Sequence, residues 1–229
     1  MIEHSKISLQ HLLSENSSYL QKANPSSPRG MYDFAIAYPD PDTIPVSDLV
    51  ECLDNALSEE GRDLATYPHP QGYPPLRELL SQKLKLERGI SVEADDIILA
   101  DGSSQPIHMA IESLIDPGDV VITEDFVYSG TLTTLRRFRA DVRGVPCDDS
   151  GMTPDGLERE ILASIAKNGI PPKMVYTIPT FQNPQGWTMS LGRRKSLLTL
   201  CQRYSIPILE DDCYVDLRFD GKTAPSIHS

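Results

Sequence analysis

From residue 97 onward the sequence keeps a rhythm that few architectures can accommodate: short apolar stretches alternate with longer stretches of helical periodicity. Apolar runs at 97–100, 120–123, 142–145, 173–178 and 206–210 are separated by segments at 107–115, 130–138, 156–167 and 191–204, whose apolar residues recur at helical spacing. Runs so short and so rich in apolar residues suit strands buried on both faces. Strands alternating with helices imply parallel pairing, because a parallel crossover needs a connection long enough to hold a helix. The expected fold class is α/β, with a mostly parallel sheet flanked by helices.

Upstream the pattern changes. Ile7, Leu12, Leu13, Tyr19 and Leu20 predict a short amphipathic helix, which Asn24-Pro25-Ser26-Ser27-Pro28 cannot continue. Val46, Leu49, Val50, Leu53 and Leu57 place a second helix over 46–59. The rigid loop Tyr67-Pro68-His69-Pro70-Gln71-Gly72-Tyr73 then leads to a helix over 75–88, opened by Pro75 and ended by Gly89.

Charge and composition exclude several classes. A net charge of −12 argues against nucleic acid as a partner, since a phosphate backbone demands clustered Lys and Arg. Arg136, Arg137, Arg139 and Arg143 form the one basic cluster, read as a solvated helix end. No apolar run reaches the roughly 18 residues a membrane helix needs, and the polar start lacks a signal-peptide pattern. The cysteines Cys52, Cys147, Cys201 and Cys213 show no metal spacing and read as reduced thiols, so cytoplasm is the expected location.

Parallel sheets bind ligands beyond the carboxyl ends of their strands. Four such ends carry unusual sequences. After 97–100 comes Asp101-Gly102-Ser103-Ser104-Gln105-Pro106, where a glycine, two hydroxyls and free N–H groups at a helix start could hold an anion or simply cap the helix. After 120–123 comes Glu124-Asp125-Phe126-Val127-Tyr128, whose tyrosine could stack on a flat ring or pack on a loop. After 173–178 comes Pro179-Thr180-Phe181-Gln182-Asn183-Pro184-Gln185-Gly186, which fixes an asparagine in one orientation, as a ligand contact or a plain turn would require. After 206–210 comes the run Glu210-Asp211-Asp212, costly at the end of a buried strand unless one carboxylate meets a cation or a proton. A pyridinium nitrogen and a metal ion both fit that demand, although no histidine stands nearby in sequence.

In order and spacing, these strings together with Tyr67…Gly72-Tyr73-Pro74-Pro75-Leu76-Arg77 and Asp116-Pro117-Gly118-Asp119-Val120-Val121 resemble the class I/II aminotransferases of fold type I, which depend on pyridoxal 5'-phosphate. The ending Asp216-Leu217-Arg218-Phe219-Asp220-Gly221 is similar to the subgroup of 2-aminoadipate aminotransferases and the aminotransferase-like domain of MocR regulators. The resemblance implies that Gly102, Ser103, Ser104 and Gln105 cradle the cofactor phosphate and that Tyr128 stacks on its ring. It implies that Asn183 and Tyr214 bond the phenolic oxygen and that Asp211, three residues before Tyr214, keeps the ring nitrogen protonated. Tyr67 would reach the phosphate of a neighbouring subunit in a homodimer, and the Asn183–Pro184 bond would be cis. On this basis residues 1–55 form an N-terminal arm and small-domain segment, and 56–229 an incomplete cofactor-binding large domain.

One departure stands beside these matches. The family's cofactor-holding lysine lies in a Ser-rich segment beyond the last motif, and the chain ends before it, with Lys222 the only lysine after Asp211. The expected function is amino transfer between an amino acid and a 2-oxo acid, by a truncated chain inactive on its own. A β-eliminating C–S lyase on the same scaffold and a non-catalytic ligand-sensing domain are the alternatives.

Overall fold

The computed structural model describes residues 38–229, together with Leu12, Leu13, Ser14, Ser17 and Met31. The rest of the helix expected near the start, and the 24–28 turn, lie outside the described residues. The elements run α1 (Val46–Glu60), α2 (Pro74–Arg88), α3 (Ser104–Leu114), β1 (Val120–Glu124), α4 (Ser129–Arg137), β2 (Asp141–Val145), β3 (Cys147–Asp148), β4 (Gly151–Met152), α5 (Pro154–Asn168), β5 (Met174–Thr177), α6 (Leu191–Arg203) and β6 (Ile208–Glu210). Four strands form one parallel sheet in the order β2-β1-β5-β6, with Val121 opposite Val142 and Met174, and Val175 opposite Ile208.

Strand pleating sorts the apolar residues onto two faces. Val121, Met174, Tyr176 and Ile178 pack with Ile107 and Ile111 of α3 and Leu135 of α4. Ile122 and Val175 pack with Leu157 and Ile161 of α5 and Leu197 and Leu200 of α6. The sheet is thus covered on both sides, which is why its central strands β1 and β5 are buried along their whole length. Burying each large aliphatic side chain is worth about 1.5–3 kcal/mol. Helix ends follow the sequence signals: Gly89 and Gly169 take left-handed backbone angles (φ 67° and 76°) beyond α2 and α5.

One expectation needs correction. The run at 97–100 is extended but belongs to no sheet: the Leu99 N–H goes to the Gln71 carbonyl, at 2.9 Å. Between it and the edge strand β6 lies a cleft of about 770 Å³, lined among others by Leu84, Ile97, Ile98, Ile208 and Ile227. An apolar run becomes a strand only where another strand lies beside it, and here the neighbouring space is open. The short antiparallel pair β3–β4 was not expected, because two residues per strand leave no periodicity to read.

Candidate functional site

The acidic run after β6 is resolved by three different partners. Glu210 meets Arg194 at 3.5 Å and accepts from the Ser226 hydroxyl (2.6 Å) and the Ile227 N–H (2.9 Å). Asp212 pairs with Arg88. Asp211 is 8% exposed and, among the described residues, makes no ion pair. Its Oδ2 accepts from the Tyr176 phenol at 2.6 Å, and its N–H donates to the Thr177 carbonyl at 2.9 Å. So the two outer carboxylates have cations and the middle one has a neutral donor, leaving its charge available to a positively charged ligand.

Around Asp211 the loop after β5 is held rigidly. The Asn183–Pro184 bond is cis. Asn183 Nδ2 donates to the Tyr214 hydroxyl at 3.1 Å, and burial pushes that phenol above its ordinary range. Gln182 donates to the Phe126 carbonyl (2.7 Å) and accepts from the Gln185 N–H (2.8 Å), which pins the loop to the end of β1. Arg194, buried in α6, donates to the Pro179 carbonyl (2.8 Å) and the Thr180 hydroxyl (3.0 Å) from behind. Asn183 and Tyr214 therefore meet as a fixed pair beside Asp211.

A second carboxylate, Glu124, ends β1 and is 1% exposed. Its Oε1 accepts from the Thr177 hydroxyl (2.5 Å) and the Ile178 N–H (3.0 Å), while Oε2 has no partner. Burial pushes its carboxyl up to about 7, against the opposing pull of those two hydrogen bonds.

The phosphate-cradle candidates sit at the start of α3. Gly102 has a left-handed backbone (φ 71°) with no atom within 4 Å of where a Cβ would stand, so its approach side is open. Ser103 caps α3 without using its side chain, and Gln105 Oε1 accepts from the Asp101 N–H at 2.6 Å, which closes the turn. Ser104 and Tyr128 line one small hollow with Ile107, Gly130, Thr131 and Thr134. The tyrosine ring lies so close over Gly130 that a Cβ there would stand 2.4 Å from Tyr128 Cε1. Tyr67 is fully exposed on its loop. The large cleft beyond β6 is lined by Glu210 and Asp212 but by none of Ser104, Tyr128, Asn183 or Tyr214.

Ser104 and Tyr128 are thus gathered in one hollow, Asn183 and Tyr214 in one hydrogen-bonded pair, and Asp211 is tied to β5. Sequence reading missed Tyr176 and Thr131: the Thr131 hydroxyl, in the hollow, donates to the Tyr176 oxygen at 3.1 Å, and Tyr176 donates on to Asp211. The available signal was a phenol inside a strand expected to be buried, since a buried Tyr hydroxyl needs a partner. Among the described residues no cluster of three His, Cys, Asp or Glu side chains is placed to hold a metal.

The family model described as aminotransferase class I and II matches residues 37–229. An aromatic-amino-acid aminotransferase of Thermococcus litoralis is 35% identical over 189 residues, covering 82% of this chain and 45% of its own length. The crystal structure of an archaeal alanine:glyoxylate aminotransferase superposes with a TM-score of 0.87 at 32% identity, over 97% of this chain and 57% of that one. The α-aminoadipate aminotransferase LysN of Thermus thermophilus, in complex with N-(5'-phosphopyridoxyl)-L-leucine, does so with a TM-score of 0.83 at 26% identity, over 96% and 54%. The chain spans about half the length of the relatives it matches. That family model covers most of the sequence, and the Thermococcus litoralis relative is 35% identical over 82% of it, so the chain belongs to the class I and II aminotransferases.

Proposed function

We propose that this chain binds pyridoxal 5'-phosphate at the carboxyl edge of the sheet and serves amino transfer between an amino acid and a 2-oxo acid. The carrying observation is Asp211, a buried carboxylate with no ion pair among the described residues. The residues fit the group: an open left-handed glycine at a helix start suits a phosphate, and a lone buried carboxylate suits a pyridinium. When bound, the cofactor supplies a ring that draws electrons from the substrate Cα.

The chain's own residues bind and orient it. Gly102, Ser103, Ser104 and Gln105 offer N–H and hydroxyl donors to the phosphate from the start of α3. Tyr128 offers its face to the ring, held over Gly130. Asn183 and Tyr214, already bonded to each other, present donors to the phenolic oxygen. Asp211 holds the proton on the ring nitrogen, which makes it and Tyr214 the catalytic candidates. Residues 56–229 act as the cofactor-binding large domain and 1–55 as an arm and small-domain segment. Exposed Tyr67 reaches the phosphate of a second copy in a cytoplasmic homodimer. The complex of LysN with a phosphopyridoxyl amino acid supports the cofactor and substrate class.

Calorimetric titration of the chain with pyridoxal 5'-phosphate tests this reading. We expect one saturable site per chain, weakened by Asp211→Ala and by Tyr128→Ala. Borohydride reduction should leave no single lysine stoichiometrically labelled, because Lys222, the lysine after Asp211, is exposed beyond the Gly221 bend. No saturable binding, or binding indifferent to both substitutions, overturns it.

A further inference from the structure

The geometry points to Tyr176 as a positioning residue that sets the aim of Asp211 toward a cationic ring nitrogen, with Thr131 holding the phenol in place. This rests on the cofactor reading above and goes beyond it.

Three observations carry the inference. Tyr176 is completely buried in the middle of β5, and its hydroxyl donates to Asp211 Oδ2 at 2.6 Å, within the range of charge-assisted O–H···O⁻ bonds. The phenol is itself fixed, because its oxygen accepts from the Thr131 hydroxyl at 3.1 Å. The neighbouring residue supplies the second anchor, since the Asp211 N–H donates to the Thr177 carbonyl at 2.9 Å. Main chain and carboxylate of Asp211 are therefore both tied to one rigid strand.

A carboxylate on a single bond from Cα can otherwise rotate about χ1 and χ2, and its short arm then samples several directions. With one oxygen engaged by Tyr176, the torsions are set and the other oxygen points in one direction only. The phenol also satisfies half of the buried carboxylate without neutralising it, as an arginine in the same place would. Glu210 and Asp212 have Arg194 and Arg88 at 3.5 Å or closer, and Asp211 has a phenol instead. That choice leaves Asp211, among the described residues, without a competing cation where a ring nitrogen would bind.

The test compares two probes on the whole chain: pyridoxamine 5'-phosphate, which has no aldehyde to react with surface lysines, and its 1-deaza analogue, which keeps the phosphate and the ring but cannot carry the proton. The wild-type chain should prefer pyridoxamine phosphate, and Asp211→Asn should abolish that preference. Tyr176→Phe should cut the preference by about tenfold, the scale of one hydrogen bond to a charged group, while deaza-analogue binding stays unchanged. Thr131→Val, which leaves the phenol–carboxylate bond in place, should cut it by a smaller factor and serves as the second variant if Tyr176→Phe folds poorly. Equal loss of both probes in both variants would mark these residues as merely structural and overturn the inference. If Asp211→Asn abolishes the preference and the Tyr176 and Thr131 variants retain it in full, the inference alone fails. Absence of any preference in the wild type removes the ring-nitrogen role of Asp211, and with it the inference.

Discussion

Helices α1 and α5 are each 15 residues long, and both carry apolar side chains at helical spacing, yet they end in opposite circumstances. In α5, Leu157 and Ile161 are buried against the sheet face that carries Ile122 and Val175. In α1, Val46, Leu49, Val50, Leu53 and Leu57 are all between 48 and 62% exposed, and no residue of the helix is buried. Apolar spacing declares which face of a helix seeks cover. It says nothing of what covers it, because that depends on which other surfaces the topology brings within reach.

The sharpest way to break the contrast is by truncation on the buried side. Ile161→Ala should cost about 4 kcal/mol in chemical denaturation, within the range for cavities left by large core aliphatics. A cost below about 1 kcal/mol would mean that the two helices differ less than their burial states.

The same contrast holds for charge, since buried Glu124 titrates far from its ordinary range while the carboxylates of α1 stand in solvent. In the unfolded chain the Glu124 carboxyl ionises near 4.5, and in the fold it keeps its proton to about 7. Between those values the folded state binds more protons, so its contribution falls as pH rises from about 4.5 to 7. The loss is on the order of 3 kcal/mol. Glu124→Gln should remove that component of the pH dependence in melts across this window. An unchanged slope would show the carboxyl to be ionised throughout.

A smaller effect is expected at half-buried Gly130, between the two extremes. Gly130→Ala places a Cβ against the Tyr128 ring and must displace it. We expect about 1 kcal/mol of lost binding for pyridoxamine phosphate, the scale of a ring contact, with little change in melting. The smallest effect belongs to α1: Leu53→Ala should change stability of the chain by no more than about 0.5 kcal/mol. A larger cost would show that the exposed stripe is covered in solution.

Much of this is legible in the sequence. The βα alternation, the Gly89 helix end and the turn around Asn183 are local, each written in a few adjacent residues whose backbone preferences leave little choice. What escaped is non-local. Whether 97–100 pairs depends on an edge strand more than a hundred residues away, and the run is apolar in either case. Tyr176 and Asp211 are 35 residues apart, so their hydrogen bond exists only once β5 and β6 lie side by side. The choice of Asp211 over Asp212 rested on the resemblance, whereas the geometry separates them by their partners, a phenol for one and Arg88 for the other.

Tyr176 and Thr177 are consecutive on β5, so their side chains leave the sheet on opposite faces. One holds Asp211 and the other holds Glu124. A slip of β5 by a single residue would exchange those faces. The phenol would then turn toward the α5–α6 side, and both buried carboxylates would lose their hydroxyl donors together. Alignment of this strand and assembly of the acidic site are thus a single event, and a chain that retains the ring-nitrogen preference has, by that fact, its central strand in the right frame.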